Sequence, residues 1–460
     1  MRTPRILIGG MTSGSGKTMI TCGILKALQN RGICPVSFKC GPDYIDPLFH
    51  QKIIGIPARN IDTYFTEETL ARYLLKKSCG EISIIEGVMG YYDGLGGVST
   101  KASTYDVAKI TETPAVLVVN CKGMSLSIVA HIKGFLEYRE DNYIQGIILN
   151  QISEGLFPRI KQIIETELKI EVFGYVPSIL EIAIESRYLG LVLPNEIEQL
   201  EEKIEKAAQI IERTVDLEKL LLLANRAKEL MEEEDNIEDK ESFLIVPKFK
   251  ESIKIAVARD EAFCFLYEDN LDLLKEMGGE LVYFSPIHDR ELPLGIQGMI
   301  LSGGYPELYA KELSQNKTMR KSIKEAILKG AFCMAECGGF MYLHTEMEDD
   351  KGLAHEMVGL IQGKAFKTKR LGRFGYIQIT EPKTSYLLEE AKDFIRGHEF
   401  HYFDSTECGE DFLAVKPITL KSWSCMHGGK NILAGFPHLY YYSNINSIYR
   451  FISGCVEGKE

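Results

Sequence analysis

The 460-residue chain carries 53 Lys and Arg against 65 Asp and Glu, a formal net charge of −12 at pH 7. That length exceeds one comfortable core and predicts two domains of roughly 200 residues each, and the acidic balance argues against a nucleic-acid binder, which normally shows a basic field. No apolar run reaches the ~18 residues of a membrane span, MRTPRILIGG has no signal-peptide pattern, and the 11 cysteines lack paired CxxC spacing, which together predict a cytoplasmic protein without a zinc site or disulfide framework.

In chain order, the first half alternates short apolar runs with amphipathic segments. RILIGG, PVSFKC, EISIIEG, PAVLVVN, QGIILN and VFGYVP read as strands with helical patterns between them, the signature of a doubly wound, mostly parallel α/β sheet. Ligands of such sheets lie at the carboxyl ends of the strands. From Glu196 to Lys240 the composition turns strongly charged, which predicts helices followed by an exposed acidic linker. The alternation then restarts with IKIAVARD, GELVYFSP, GMILSGG and GAFCMAECGG. The expected division is residues 1–235, a linker at 236–252, and a second α/β domain at 253–460.

GGMTSGSGKT, directly after the first strand and opening a helical segment, has the form of a phosphate cradle. Backbone N–H groups of Thr12, Ser13, Gly14, Ser15 and Gly16 would face nucleotide oxygens at a positive helix end. Lys17 would neutralise phosphate charge, and the Thr18 hydroxyl would ligate Mg²⁺. The loop departs from the G-x-x-x-x-G-K-[ST] spacing, because Met11 stands five residues before Gly16 and the nearest earlier glycine, Gly10, is one position further back. A longer loop is expected. Two strand ends add acids: FKCGPDYIDP brings Lys39, Asp43 and Asp46, and IIEGVMGYYDG brings Glu86 and Asp93. Asp43 or Glu86 could complete a magnesium shell, although each alone also suits a turn. Asn150 ends its strand, where its amide would read an adenine edge or form a turn.

In GAFCMAECGGFMYL a strand stops at Cys337, with Ala335 before it and Gly339 after it. Small flanks permit a sharp elbow that exposes a nucleophile, and a helix N-terminus beside it would favour the thiolate. N–H groups of Gly338, Gly303 and Gly304 would serve a tetrahedral oxyanion. His438 in GFPHLYYYS is the candidate base, with His398, His401 and His427 as rivals.

With GMTSGSGKT, KCGPDYIDP, IEGVMGYYDG, LSGGYPELYA, MAECGGFMYL and RGHEFHYF in this order, the sequence resembles the cobyrinate a,c-diamide synthase family along nearly its whole length. The first half is similar to dethiobiotin synthetase, whose phosphate loop shares the extra residue before Gly16, and thus to P-loop NTPase-like domains. The second half is similar to type I glutamine amidotransferases. The resemblance implies a two-site amide ligase with ATP and glutamine as co-substrates. Cys337 and His438 would release ammonia from glutamine, and the first domain would phosphorylate a carboxylate that ammonia then amidates. It also implies Mg²⁺ on Thr18, Asp43 and Glu86, Asp93 near substrate or phosphate, and Lys39 and Asp46 in the same substrate region.

The implied substrate is a tetrapyrrole polycarboxylate amidated at its a and c acetates: cobyrinate, or alternatively hydrogenobyrinate or nickel-sirohydrochlorin. Lys364, Lys367, Lys369, Arg370 and Arg373 lie close together in an otherwise acidic chain and would bind such a polyanion. One departure stands out. Type I amidotransferases usually carry glutamate two residues after the histidine, where this chain has Tyr440, so a Cys337–His438 dyad with some other acceptor for the imidazole is expected. A partitioning or switch ATPase shares the first fold, but Met11 and Thr12 stand where that group has a second lysine, and the cysteine domain would have no purpose. A cysteine hydrolase with a vestigial nucleotide site conflicts with the intact Lys17–Thr18 pair. The sequence leaves the oligomeric state open, a homodimer included.

Overall fold

The computed structural model describes residues 3–51, 55, 58–178, 186–187, 190–191, 197–230, 246–380, 387–388 and 393–457. The chain forms two compact units, Met1–Ile237 and Glu238–Glu460. Of the linker expected at 236–252, residues 236–245 lie outside the described residues.

The first unit is built on a seven-stranded sheet. Its strands are β1 (Arg5–Gly10), β2 (Pro35–Cys40), β3 (Ala58–Ile61), β4 (Ile82–Glu86), β5 (Ala115–Asn120), β6 (Ile144–Asn150) and β7 (Val172–Val176). They lie in the order β3-β2-β4-β1-β5-β6-β7, and every pairing is parallel. Ile6, Leu7, Ile8, Ile84, Ile85 and Val116–Val119 are inaccessible to solvent, as expected of parallel strands covered on both faces. The central position of β1 puts the loop that follows it between the ends of β4 and β5, with the end of β2 beyond β4.

Helix α1 (Lys17–Asn30) starts at the phosphate loop and packs against the helix Leu200–Thr214, whose inward stripe is Leu200, Ile204, Ala207, Ala208 and Ile211. Gly23 permits the close approach, because a Cβ there would lie 2.9 Å from Ile211 Cγ1 and 3.3 Å from the Ala207 carbonyl. The charged run therefore supplies a packed helix as well as solvated faces.

In the second unit the strands Gly279–Phe284, Ile253–Ala258, Gly298–Leu301, Phe332–Glu336 and Ile432–Gly435 lie parallel in that order, with His427–Gly428 antiparallel at the edge. Two further sheets extend the unit. One joins His344–Glu348, Ala354–Glu356, Ile361–Lys367 and Phe403–Ser405, and the other joins Phe374–Thr380, Phe394–Phe400, Phe412–Val415, Ser422–Cys425 and His438–Leu439. The second is antiparallel throughout. It sets His438 directly opposite His398.

Candidate functional site

In the first unit the loop after β1 turns through Gly14 at φ +72° and Gly16 at φ +90°, left-handed conformations that favour glycine. The Ser15 hydroxyl donates to the Thr12 carbonyl at 2.8 Å and accepts from the Thr12 N–H at 3.1 Å, tying the loop to itself, while Ser13 and Gly14 are exposed at its tip. Asn150 donates to the Ser15 carbonyl at 2.8 Å. Its amide is thereby committed to bracing the loop, and a Cβ on Gly16 would lie 2.3 Å from Asn150 Nδ2.

Lys17 folds back onto the carbonyls of Met89, at 2.6 Å, and Thr12, at 3.2 Å. Burial, and then the charge of Lys39, pull its ammonium down to about 8. Carbonyl partners are modest ones for a lysine, and a phosphate oxygen would be a stronger one.

Behind the loop, Thr18 Oγ1 donates to Glu86 Oε1 at 2.6 Å and lies 3.4 Å from Asp46 Oδ2. Lys39 Nζ bridges the two acids, 2.5 Å from Asp46 Oδ2 and 2.9 Å from Glu86 Oε1, so the structure makes Lys39 and Asp46 buried members of this cluster. Burial drives the Glu86 carboxyl upward, but Lys39, His50 and the Thr18 hydroxyl more than offset it and hold Glu86 well below the usual carboxylate range. Asp46 is pushed up by burial and by Asp43 despite the lysine. The two carboxylates that share one lysine are thus shifted in opposite directions.

Asp43 is less closely engaged. Its Oδ1 accepts from the N–H groups of Ile45 and Asp46 at 2.8 and 3.2 Å, a local turn that caps the short helix after it. Thr18 and Glu86 are brought together, then, and Asp43 stands to one side. Among the described residues no three His, Cys, Asp or Glu side chains form a ready metal cage. Asp93 is exposed and accepts from the Gly90 N–H at 2.9 Å. His50 is a member that the sequence did not single out. It is fully buried, lies 3.1 Å from Glu86 Oε2 and is held from behind by Ser37 at 2.6 Å; a lone histidine outside any motif carries no signal by itself.

In the second unit, Cys337 sits between the strand Phe332–Glu336 and a one-turn helix, Gly338–Tyr342, at φ +47° and ψ −102°. A non-glycine residue there is strained, the backbone form of a nucleophile elbow. Gly339 is what the turn requires, since a Cβ on it would lie 2.1 Å from the Leu301 carbonyl. Gly338 faces Gly304, whose N lies 3.2 Å from where a Gly338 Cβ would be, and these two N–H groups form a candidate oxyanion site. Gly303 serves differently: it lies flat against the imidazole of His438 and gives its carbonyl to the Phe265 N–H at 3.0 Å.

The expectation that a helix end favours the thiolate is corrected. The following helix has five residues, and burial, then Glu307, push the Cys337 thiol well up in spite of the Gly338 N–H. A base is needed. His438 is 2 % exposed, and burial, then His398 and His401, keep it neutral, the form that accepts a proton. The rivals are engaged elsewhere: His401 stacks on Phe436 at 4.0 Å, His427 bonds the Glu407 carbonyl at 2.8 Å, and His398 stacks on His438 itself at 4.9 Å.

Tyr440, in the place of the usual acid, turns its hydroxyl to Asp269 Oδ2 at 3.2 Å. A different carboxylate, Glu336, has Oε2 3.8 Å from His438 Nδ1. Sequence reasoning missed it, although a glutamate closing an apolar strand beside the nucleophile was a visible signal. The basic cluster divides: Lys364 pairs with Glu348 at 2.8 Å, Lys367 bonds the Asp350 carbonyl at 2.7 Å, Lys369 and Arg370 are exposed, and Arg373 lies over the Trp423 ring at 5.8 Å.

Comparison with known proteins accounts for both centres. Residues 6–189 match the family described as CobQ/CobB/MinD/ParA nucleotide binding domain, and residues 254–444 match the CobB/CobQ-like glutamine amidotransferase domain. The cobyrinate a,c-diamide synthase of Clostridium tetani is 41% identical over 445 residues, covering 96% of this chain and 97% of that protein. That of Caldanaerobacter subterraneus subsp. tengcongensis is 38% identical over 456 residues, covering 98% of each. That of Listeria innocua is 40% identical over 448 residues, covering 96% and 97%. Two domain matches in the same order and identity that runs nearly end to end lead to one conclusion: the chain belongs to the cobyrinate a,c-diamide synthase family.

Proposed function

We propose that this protein amidates the a and c acetate carboxylates of cobyrinate, using ATP to activate each acid and glutamine to supply the nitrogen. The carrying observation is the presence in one chain of a strained cysteine elbow beside a neutral buried histidine and a phosphate loop backed by Thr18, Glu86, Asp46 and Lys39. Either alone would serve many reactions. Together they supply the two halves of an amide ligase.

In the glutaminase half, His438 takes the Cys337 proton and the sulfur attacks the side-chain amide carbon of glutamine. The N–H groups of Gly304 and Gly338 stabilise the oxyanion. Collapse breaks the C–N bond, the imidazolium returns its proton to the leaving nitrogen, and ammonia departs. Water then cleaves the thioester to glutamate and restores the thiol. In the synthetase half, the carboxylate attacks the terminal phosphorus of ATP, giving an acyl phosphate and ADP, and ammonia displaces phosphate. Activation is required because a free carboxylate would have to expel oxide.

Lys17 would exchange its carbonyl partners for phosphate oxygens, and Thr12 to Gly16 would cradle the phosphates. The oxygen donors of Thr18 and Glu86, with Asp43 or the nearer Asp46, fit a hard cation, and the Lys39 ammonium among them marks the place as one that stabilises positive charge. Mg²⁺ held there would offset phosphate charge. Asp93 would lie toward the substrate, and the reaction would take place in the cytoplasm. The test offers cobyrinate, hydrogenobyrinate and nickel-sirohydrochlorin in turn with ATP, Mg²⁺ and glutamine. Two added amides by mass on cobyrinate support the reading, and amidation of another macrocycle alone overturns it.

A further inference from the structure

The glutaminase centre has a nucleophile and a base but, at the usual position, no acid. Tyr440 occupies that position and its hydroxyl is turned to Asp269. Glu336 meets the need from the opposite direction. It is the last residue of the strand that ends in the elbow, and it is 6 % exposed. One carboxyl oxygen, Oε1, accepts from the Leu439 N–H at 3.4 Å, and the other, Oε2, faces His438 Nδ1 at 3.8 Å. The same side chain thus bonds the backbone next to the base and faces the buried Nδ1 of the imidazole. The strand pairing of Glu336 with Gly435 fixes where the chain enters this stretch, and His438 and Leu439 pair on their other side with His398 and Gly397. Little freedom is left to the ring.

We infer that Glu336, the residue immediately before the nucleophile, is the positioning carboxylate for His438 and takes the part that a glutamate two residues after the histidine plays in other type I amidotransferases. The inference rests on the proposed glutaminase role of Cys337 and His438. In its ionised form, which burial confines to pH values near and above about 8, Glu336 accepts the Nδ1 proton, which leaves Nε2 bare to take the proton of Cys337. It then stabilises the imidazolium until that proton passes to the leaving ammonia. Glu336 contacts neither sulfur nor substrate in this scheme. Its effect runs through the tautomer of His438.

The groups facing Glu336 are His438 on one side, with His398 stacked behind it, the Tyr441 phenol, whose ionisation the Glu336 charge opposes, and Cys337, next in the chain. None is a cation at neutral pH. Burial accordingly pushes the Glu336 carboxyl up to about 8, against the Leu439 N–H.

The test compares the full chain with Glu336→Gln and, as a control at the usual acid position, Tyr440→Phe. Three quantities are measured: glutamine-dependent kcat and KM, ammonia-dependent amidation, and the rate at which iodoacetamide alkylates Cys337. For Glu336→Gln the expected result, read above about pH 8 where the parent carboxyl is ionised, is a kcat with glutamine about 100-fold lower, an unchanged KM, slower alkylation, and full activity with ammonium salts. Tyr440→Phe should remain within a fewfold of the parent. Retention of glutamine-dependent kcat by Glu336→Gln overturns the inference, and so does loss of activity with both nitrogen sources, which would make Glu336 structural. Failure of the proposed function has a different mark: the unaltered protein would not amidate with glutamine at all.

Discussion

Gly303 and His438 are packed so closely that a Cβ on Gly303 would lie 2.4 Å from His438 Cε1. The glycine is part of the wall that holds the base, and the ring can yield to a methyl group only by leaving its place between Gly303 and Glu336. A displacement on the order of 1 Å can reduce a rate about 100-fold. Gly303→Ala is therefore expected to lower glutamine hydrolysis by about that factor while amidation from ammonium salts is kept. Parallel assays with the two nitrogen sources check it, and equal loss in both would remove Gly303 from the glutaminase centre.

Removal of the thiol separates the half-reactions. Cys337→Ala is expected to abolish use of glutamine and retain ATP-driven amidation with ammonia. Alanine still has to adopt φ +47°, but it relieves none of the packing around the elbow, so the unit should stay folded. Loss of ammonia-driven activity in a folded variant would argue against separate sites.

In the synthetase centre, Glu86→Gln keeps an acceptor oxygen but removes the negative charge that Thr18 and Lys39 share. Lys39, only 3 % exposed, would then keep Asp46 as its ion-pair partner and the Gly87 carbonyl, at 3.0 Å, as a neutral one. Breaking a buried ion pair from one side costs about 3 kcal/mol or more, so denaturant unfolding should show a clear loss of stability. ATP-driven amidation should fall with either nitrogen source, and the magnesium requirement should rise. An unchanged magnesium dependence would exclude Glu86 from cation binding.

Glu336 also predicts a pH effect on stability. Its folded carboxyl is raised from 4.5 to about 8, so between those values the folded state holds a proton that the unfolded state has released. The favourable contribution is complete below 4.5 and is lost as pH rises through the folded value, at about 1.4 kcal/mol per pH unit for one proton. Glutamine cannot ionise. Urea unfolding of Glu336→Gln and its parent, compared at about pH 5 and pH 8, should therefore show the variant gaining relative stability with pH even as glutamine use falls. A difference that does not change with pH would contradict the raised carboxyl.

Much of the scaffold was legible because buried parallel strands are nearly continuous apolar runs: RILIGG, PVSFKC, EISIIEG, PAVLVVN, QGIILN and VFGYVP all lie in the seven-stranded sheet. The strand Ala58–Ile61 was not, since ARNI is short and half polar and pairs only at the edge. The antiparallel sheets of the second unit escaped for a related reason: segments such as Phe374–Thr380, FGYIQIT, are half exposed and carry no strong apolar run. In the sites, Lys17, Thr18, Cys337 and the glycines around them were readable because each stands in a local backbone motif. His50 and Glu336 act through partners 36 and 102 positions away in the chain, Glu86 and His438, and only the fold brings those pairs together.

The central claim is that one chain both activates a carboxylate with ATP and delivers to it the nitrogen freed at Cys337. Incubation with cobyrinate, ATP, Mg²⁺ and glutamine carrying heavy nitrogen in its side-chain amide, followed by mass analysis of the macrocycle, tests it most directly. The account predicts heavy nitrogen in two new amides, with one ADP formed for each and none of the label incorporated by Cys337→Ala. Label incorporation by that variant, or amidation without ADP formation, would contradict it.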